Sequence, residues 1–253
     1  MAGASSDSNP ESIPRIWLCQ PAKKADEATP DWLTPDEAQR LAGLKGHRRQ
    51  EFLTTRWLIR QALAGASGLP ASDCCPVPGR PTAAATPPGW HLSISHCQNL
   101  AACATGTGAV GIDIEPARRR ADWQRVARRW FSVAEQDWLL RTDDAFEFLK
   151  VWTLKEAWLK ATGRGIAGNL QTLRVSADFE LLGDQQQGGW RAGSCLVAGF
   201  IVTLVWQGPE AAGGQPAAPT LLAPPPDDCR LVAPEPLACT ADWLLNADIH
   251  PSG

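Results

Sequence analysis

The chain has 253 residues, 44% hydrophobic and 20% charged, a balance that excludes disordered, collagen-like and fibrous proteins and leaves room for a sizeable core. Its 24 basic and 27 acidic side chains give a formal net charge of −3. That near-neutral total makes no electrostatic case for nucleic acid or an acidic membrane as a partner.

Residues 1–14 are small and polar and read as a flexible tail. They lack the basic start and apolar stretch of a secretory signal, so the expected compartment is the cytoplasm. Arg15 to Cys19 reads as a short strand. From about Pro35, Leu41, Leu44, Phe52, Trp57, Leu58 and Leu63 recur at helical spacing, which predicts one or two amphipathic helices ending near Gly65 or Gly68. The other positions of that stretch are strongly basic. Six prolines and Gly79 make residues 70–89 mostly loop. Trp90 to Ser95 alternates, with Trp90, Leu92 and Ile94 on one face and His91, Ser93 and Ser95 on the other, the period of a half-buried strand.

Leu100 to Ala104 and Ala109 to Glu115 read as further strands around a Gly-Thr-Gly turn at 106–108. A helix is predicted over about 119–130, and a Ser-x-x-Glu capping box at Ser132 and Glu135 opens a second. A long helix from about Asp144 to Thr162 ends at Gly163. Residues 172–179 and 195–206 are the last strand candidates. The second, with 12 residues and Gly199 inside it, is the longest apolar run and far short of the ~20 that span a bilayer. Eight prolines between Gln207 and Pro236 predict a mobile extension, and Thr240 to Asn246 a closing helical turn or two. The eight cysteines, none spaced Cys-x-x-Cys, are expected to be reduced thiols, mostly buried. The fold class is α+β, with a tail (1–14), two sequential halves (15–108 and 109–206) and the Pro-rich extension (207–253).

Two stretches carry chemistry. In Val110-Gly111-Ile112-Asp113-Ile114-Glu115, residues two apart share a strand face, so Asp113 and Glu115 present two carboxylates while Val110, Ile112 and Ile114 pack behind them. That is either half a site for a hard cation such as Mg²⁺ or a solvated acidic face. In Trp152-Thr153-Leu154-Lys155-Glu156-Ala157-Trp158-Leu159-Lys160, Glu156 and Lys160 stack at i and i+4 on a helix whose Trp and Leu residues cover much of its circumference. They form either a surface pair worth ~0.3–0.5 kcal/mol or part of a metal and phosphate site. Ser95 and His96, adjacent on a strand, project to opposite faces and make a poor nucleophilic dyad; His96 is better placed to donate to a phosphate. Gly79-Arg80-Pro81 offers a loop arginine whose fork suits a phosphate.

Together these pieces resemble the Sfp-type 4′-phosphopantetheinyl transferases. The matching residues, in order, are Gly79-Arg80-Pro81, Ile94-Ser95-His96, Gly111-Ile112-Asp113-Ile114-Glu115, Phe131-Ser-Val-Ala-Glu135, and Trp152-Thr-Leu-Lys155-Glu156-Ala157 followed by Lys160 and Gly163-x-Gly165. Leu92-Ser93 stands where the family usually has Phe-Asn, and Cys97 where a Ser often follows the His.

The resemblance implies a pseudo-dimer of two similar α/β halves with coenzyme A in the cleft between them. It implies Mg²⁺-dependent transfer of the phosphopantetheine arm of CoA to a serine of an apo acyl or peptidyl carrier protein, releasing 3′,5′-ADP, by a monomer that needs neither membrane nor nucleic acid. Asp113, Glu115 and Glu156 would hold the metal, and Ser95, His96, Lys155 and Lys160 would lie on the CoA phosphates. Arg80 and Arg40, the latter after a Thr-Pro-Asp-Glu helix opening, would hold the 3′-phosphoadenosine end, with Arg48, Arg49 and Arg56 as rivals. Lys155 and Lys160 would stabilise charge on the transferred group, and Glu156 would accept the serine proton. Glu135 is either a metal ligand or the glutamate of the capping box. The alternatives are a non-catalytic CoA- or carrier-binding module of the same fold, and a Mg²⁺-dependent phosphatase or nuclease.

Counted by region, the charge is uneven. Residues 38–206 carry 20 basic and 14 acidic groups, a net +6, against −4 for residues 1–37 and −5 for 207–253. The body of the chain is therefore suited to anionic ligands.

Overall fold

Thr34 opens the first helix because its hydroxyl accepts from the Glu37 N–H while the Glu37 carboxylate accepts from the Thr34 N–H, with Pro35 at the first helical position. The computed structural model describes residues 13–22, 28–79, 82–118, 122–164, 169–208 and 215–252. In chain order the strands and helices are β1 (Arg15–Cys19), α1 (Pro35–Ala42), α2 (Gly46–Ser67), β2 (Cys75–Pro76), β3 (Ala84–Thr86), β4 (His91–Cys97), β5 (Leu100–Gly106), β6 (Val110–Pro116), α3 (Trp123–Trp130), α4 (Val133–Thr142), α5 (Ala145–Ala161), β7 (Leu173–Val175), β8 (Leu181–Gly183), β9 (Trp190–Val197), β10 (Phe200–Gln207), β11 (Thr220–Leu222), β12 (Pro236–Leu237) and β13 (Asp242–Pro251). The class is α+β, as the sequence predicts.

Two larger sheets organise the molecule, in the orders β12-β11-β1-β5-β4 and β6-β10-β9-β13-β8-β7. Their apolar faces share one core. Ile16, Leu18, Ala102 and Ala104 of the first sheet meet Ile112, Ile114, Val202, Leu204 and Trp206 of the second. The opposite face of the first sheet is covered by α2, whose Trp57, Leu58 and Ala62 pack with Leu92 and Cys103. The opposite face of the second carries α5, whose Leu154, Ala157 and Trp158 pack with Ala192, Ile201 and Val205. Each sheet thus spends one face on the other and one on a long buried helix, which is why β5, β6 and β10 are buried on both faces.

Several expectations need correction. The run 195–206 is not one strand: β9 and β10 pair antiparallel around a tight turn in which Ala198 (φ 50°) and Gly199 (φ 81°) are both left-handed. The predicted strand over 172–179 shortens to β7, with β8 following it. The Pro-rich extension is not a mobile appendage in its described part. The proline-free tripeptide Thr220-Leu221-Leu222 forms β11, which pairs parallel with β1. The returning chain accepts hydrogen bonds from Trp32 Nε1, Trp57 Nε1 and Gln61 Nε2 at the carbonyls of Cys229, Arg230 and Val232. Residues 240–246 are not helical; most lie in β13, which inserts between β9 and β8. Pro219 stands just before β11 and Pro251 at the last position of β13, so the other pairing residues keep their N–H groups. The tail (1–14) lies almost wholly outside the described residues. No cysteine forms a disulfide among the described residues, and five of the eight are buried.

Candidate active site

β4 and β6, the facing edges of the two sheets, are joined by side chains. Ser93 Oγ accepts from the Ile112 N–H at 2.9 Å, Ser95 Oγ donates to Asp113 Oδ1 at 2.9 Å, and Cys97 Sγ lies 3.6 Å from Glu115 Oε2. Residues 93, 95 and 97 share one face of their strand, so a single alternation delivers all three contacts. Ser93 and Cys97, two of the positions that depart from the family pattern, are both used in this seam.

On its other side β6 meets α5 at Gly111. A Cβ there would overlap the Ala157 carbonyl oxygen and stand 2.5 Å from the Ala161 nitrogen. Only glycine admits that approach. It sets Glu156 and Lys160, one turn apart, against Asp113: Lys160 Nζ donates to the Ile112 carbonyl at 2.9 Å and to Asp113 Oδ1 at 2.8 Å. Behind them a buried hydroxyl chain, Thr153 to Thr203 at 2.8 Å and Thr203 to Ser194 at 2.7 Å, fixes α5 to β10 and β9. Thr203 is the register partner of Asp113.

Asp113, Glu115 and Glu156 are all buried, which removes the reading of β6 as a solvated acidic strand. Burial pushes the Glu156 carboxyl up to about 7; Asp113 adds to the shift, Lys160 opposes it and Glu115 raises it further. As the side chains stand, no three His, Cys, Asp or Glu among the described residues close on a single point. The donor set nevertheless fits a hard divalent cation: Asp113 and Glu115 each push the Glu156 carboxyl up, so the carboxylates repel one another, and Mg²⁺ prefers such oxygen ligands.

Lys155 does not join this group. One residue along a helix is a 100° turn from Glu156, so Lys155 points into the body of the domain, where its side chain is 0% exposed. Its Nζ lies 2.7 Å from Glu135 Oε1, donates to the Leu170 and Leu173 carbonyls, and sits over the Phe131 ring. Burial holds the ammonium below the usual lysine range, and Glu135 opposes that shift. Glu135 in turn accepts from the Ser132 and Val175 N–H groups. It is the capping-box glutamate and the Lys155 partner rather than a metal ligand.

His96 projects away from Ser95 toward α2, where its Nδ1 lies 2.6 Å from Glu51 Oε1. The sequence reading missed Glu51; the available signal was that it is the sole acidic residue of a strongly basic helix. Arg40 is exposed and donates to the Gly79 carbonyl at 3.0 Å, which ties α1 to the loop carrying Arg80; Arg80 itself lies outside the described residues. Of the rival arginines, Arg48 is exposed and Arg49 donates to the Ala28 carbonyl at 2.9 Å. Arg56 is buried beside Glu37, over the Phe52 ring, and its Nη1 has no hydrogen-bond partner among the described residues. Thr34, Arg40, Arg56 and the segment Pro76–Gly79 border one depression there.

Comparison with known proteins falls on the same segments. Residues 36–106 match the family model described as the 4′-phosphopantetheinyl transferase N-terminal domain, and residues 109–204 that of the 4′-phosphopantetheinyl transferase superfamily. The chain is 34% identical over 187 residues to the 4′-phosphopantetheinyl transferase HetI of Nostoc sp., covering 64% of this chain and 74% of that protein. It is 32% identical over 123 residues to AcpT of Escherichia coli (47% and 60% covered) and 32% identical over 91 residues to Sfp of Bacillus subtilis (35% and 40% covered), both 4′-phosphopantetheinyl transferases. With Ser95, Asp113, Glu115, Glu156 and Lys160 gathered at one seam between two sheets, the chain belongs to the 4′-phosphopantetheinyl transferase superfamily.

Proposed function

We infer that this enzyme transfers the 4′-phosphopantetheine arm of coenzyme A to a serine of an apo carrier protein, with Mg²⁺ as its metal. The observation that carries the reading is the buried cluster of Asp113, Glu115, Glu156 and Lys160, assembled where β4, β6 and α5 meet. Structural ion pairs also bury charge, but buried carboxylates that raise one another are an arrangement that a cation relieves.

In this proposal Asp113, Glu115 and Glu156 hold Mg²⁺, which when bound neutralises the CoA diphosphate and polarises the transferred phosphoryl group. Ser95 and Lys160 fix Asp113 through its Oδ1, so that one carboxylate oxygen is committed and the other is available. Lys160 also draws negative charge toward itself as the diphosphate reacts. Arg56, with its orphan Nη1, is the arginine best supplied with capacity for the 3′-phosphate, beside Arg40 and Arg80. His96 contacts a CoA phosphate from the β4 side. The carrier serine oxygen attacks the phosphorus attached to pantetheine, the diphosphate P–O bond breaks, 3′,5′-ADP leaves, and the serine proton passes to Glu156 or to water that Glu156 orders.

Both sheets that border the seam come from one chain, so a monomer suffices. Among the described residues no helix is long and apolar enough to cross a membrane and no cysteine forms a disulfide, which suits a reducing cytoplasm.

Incubation with CoA, Mg²⁺ and an apo carrier, read by intact mass, tests the reading. A carrier that gains one phosphopantetheine supports it; binding of CoA without mass gain on any of a fatty-acid, polyketide and peptide-synthetase carrier overturns it in favour of a binding module. Glu156→Gln should abolish the gain.

A further inference from the structure

Glu51 is out of place by charge. It is the only acid of α2, among Arg48, Arg49, Arg56 and Arg60, on a helix that borders a site for a polyanionic substrate. An unpaired carboxylate there would repel the ligand that the arginines attract. Its partner is His96 of β4: Nδ1 to Oε1 is 2.6 Å, with the Glu51 side chain 28% exposed and the imidazole 50% exposed. The contact spans 45 positions of sequence and joins the helix and the strand on which the proposed nucleotide and phosphate contacts stand.

We propose that Glu51 is a positioning residue for CoA binding, acting through His96. A histidine ring on an exposed strand end can rotate about two bonds, and either nitrogen can face a ligand. With Nδ1 committed to Glu51, ring rotation is fixed and Nε2 is the ring atom left to face a phosphate oxygen. Ordering the ring before the substrate arrives spares that entropy on binding. Glu51 itself touches no substrate. Its charge is spent on the imidazole, so a helix rich in arginine carries an acid without opposing the anion.

The inference rests on the reading that His96 contacts CoA, and the test separates the two. With a carrier saturating, Glu51→Ala should raise KM and Kd for CoA about tenfold while kcat stays within about twofold, the size expected for losing one charge-assisted hydrogen bond. Glu51→Gln, whose amide oxygen still accepts from Nδ1, should recover most of the loss, and Glu51→Asp, one methylene short, should not. His96→Ala should weaken CoA at least as much, and Glu51→Ala in the His96→Ala background should add nothing further. If His96→Ala binds CoA normally, the phosphate reading of His96 is wrong and this inference falls with it. If His96→Ala is weak but Glu51→Ala, or Glu51→Asp should the alanine variant not fold, binds like the parent, Glu51 does not position His96 and only this inference falls. Additive losses in the double variant would also overturn it, since Glu51 would then be acting on its own.

Discussion

Gly111 lies so close to Ala157 that a methyl group on it would occupy the space of the Ala157 carbonyl oxygen. The distance between β6 and α5, and with it the gap between Asp113 and Glu156, is set by that missing side chain. Gly111→Ala is therefore expected to push α5 outward, costing about 1–3 kcal/mol of stability by overpacking and roughly a hundredfold in transfer rate by misplacing the carboxylates. Thermal melts and single-turnover transfer check both; unaltered turnover would show that the approach is not what sets the site.

The raised Glu156 carboxyl makes a pH prediction. Its folded-state value of about 7 lies above the ordinary 4.5, so the folded protein holds this proton more tightly than the unfolded chain does. Stability from this group is full below about 4.5 and is lost as pH rises through 7. Glu156→Gln removes the loss. Without metal, the variant should be more stable than the parent at pH 8 by roughly 1–3 kcal/mol and equal to it near pH 4. Mg²⁺ should then raise the melting temperature of the parent at pH 8 and leave that of the variant nearly unchanged. A parent indifferent to Mg²⁺ would count against the metal assignment.

Lys155 and Lys160 separate two roles that a sequence motif merges. Lys155→Met leaves Glu135 buried without its ammonium and should cost about 3–5 kcal/mol, part of it recovered by adding Glu135→Gln. Lys160→Met should instead retain the fold and lose transfer. The comparison of melting midpoints with KM for CoA decides the matter: a Lys155 that touched phosphate would raise KM at constant stability.

Removing residues 209–253 should leave no cooperatively folding protein, although both matched family regions remain. The cut deletes β13 from between β9 and β8, and it deprives Trp32, Trp57 and Gln61 of their carbonyl partners. A truncated chain that melts like the parent would show that these pairings are dispensable.

How much of this was legible before the fold was known depended on whether the signal was local. The alternation of Val110 to Glu115 and the i, i+4 pair Glu156 and Lys160 report their own periodicity, and the structure places them together. The Ser132–Glu135 box is likewise a four-residue signal and stands as a cap. Lys155 was misassigned because motif adjacency hides a 100° rotation about the helix axis. The hairpin at Ala198 and Gly199 was invisible because alanine seldom takes a left-handed conformation and carries no turn signal. β11 is three residues set among prolines, and composition over 30 residues drowned it. Glu51 and His96 meet only through the packing of α2 on β4, which no window of sequence contains.

The parallel pairing of β1 with β11 also orders events in time. Trp17 has Thr220 as its register partner, a separation of 203 positions, so the first sheet cannot acquire that strand until Thr220 has been made. The strands β1, β4 and β5 emerge from the ribosome first and must wait with one edge open until β11 follows them. In the meantime that edge is the place where a second nascent chain could pair, and the short segment Thr220–Leu222 is what closes it.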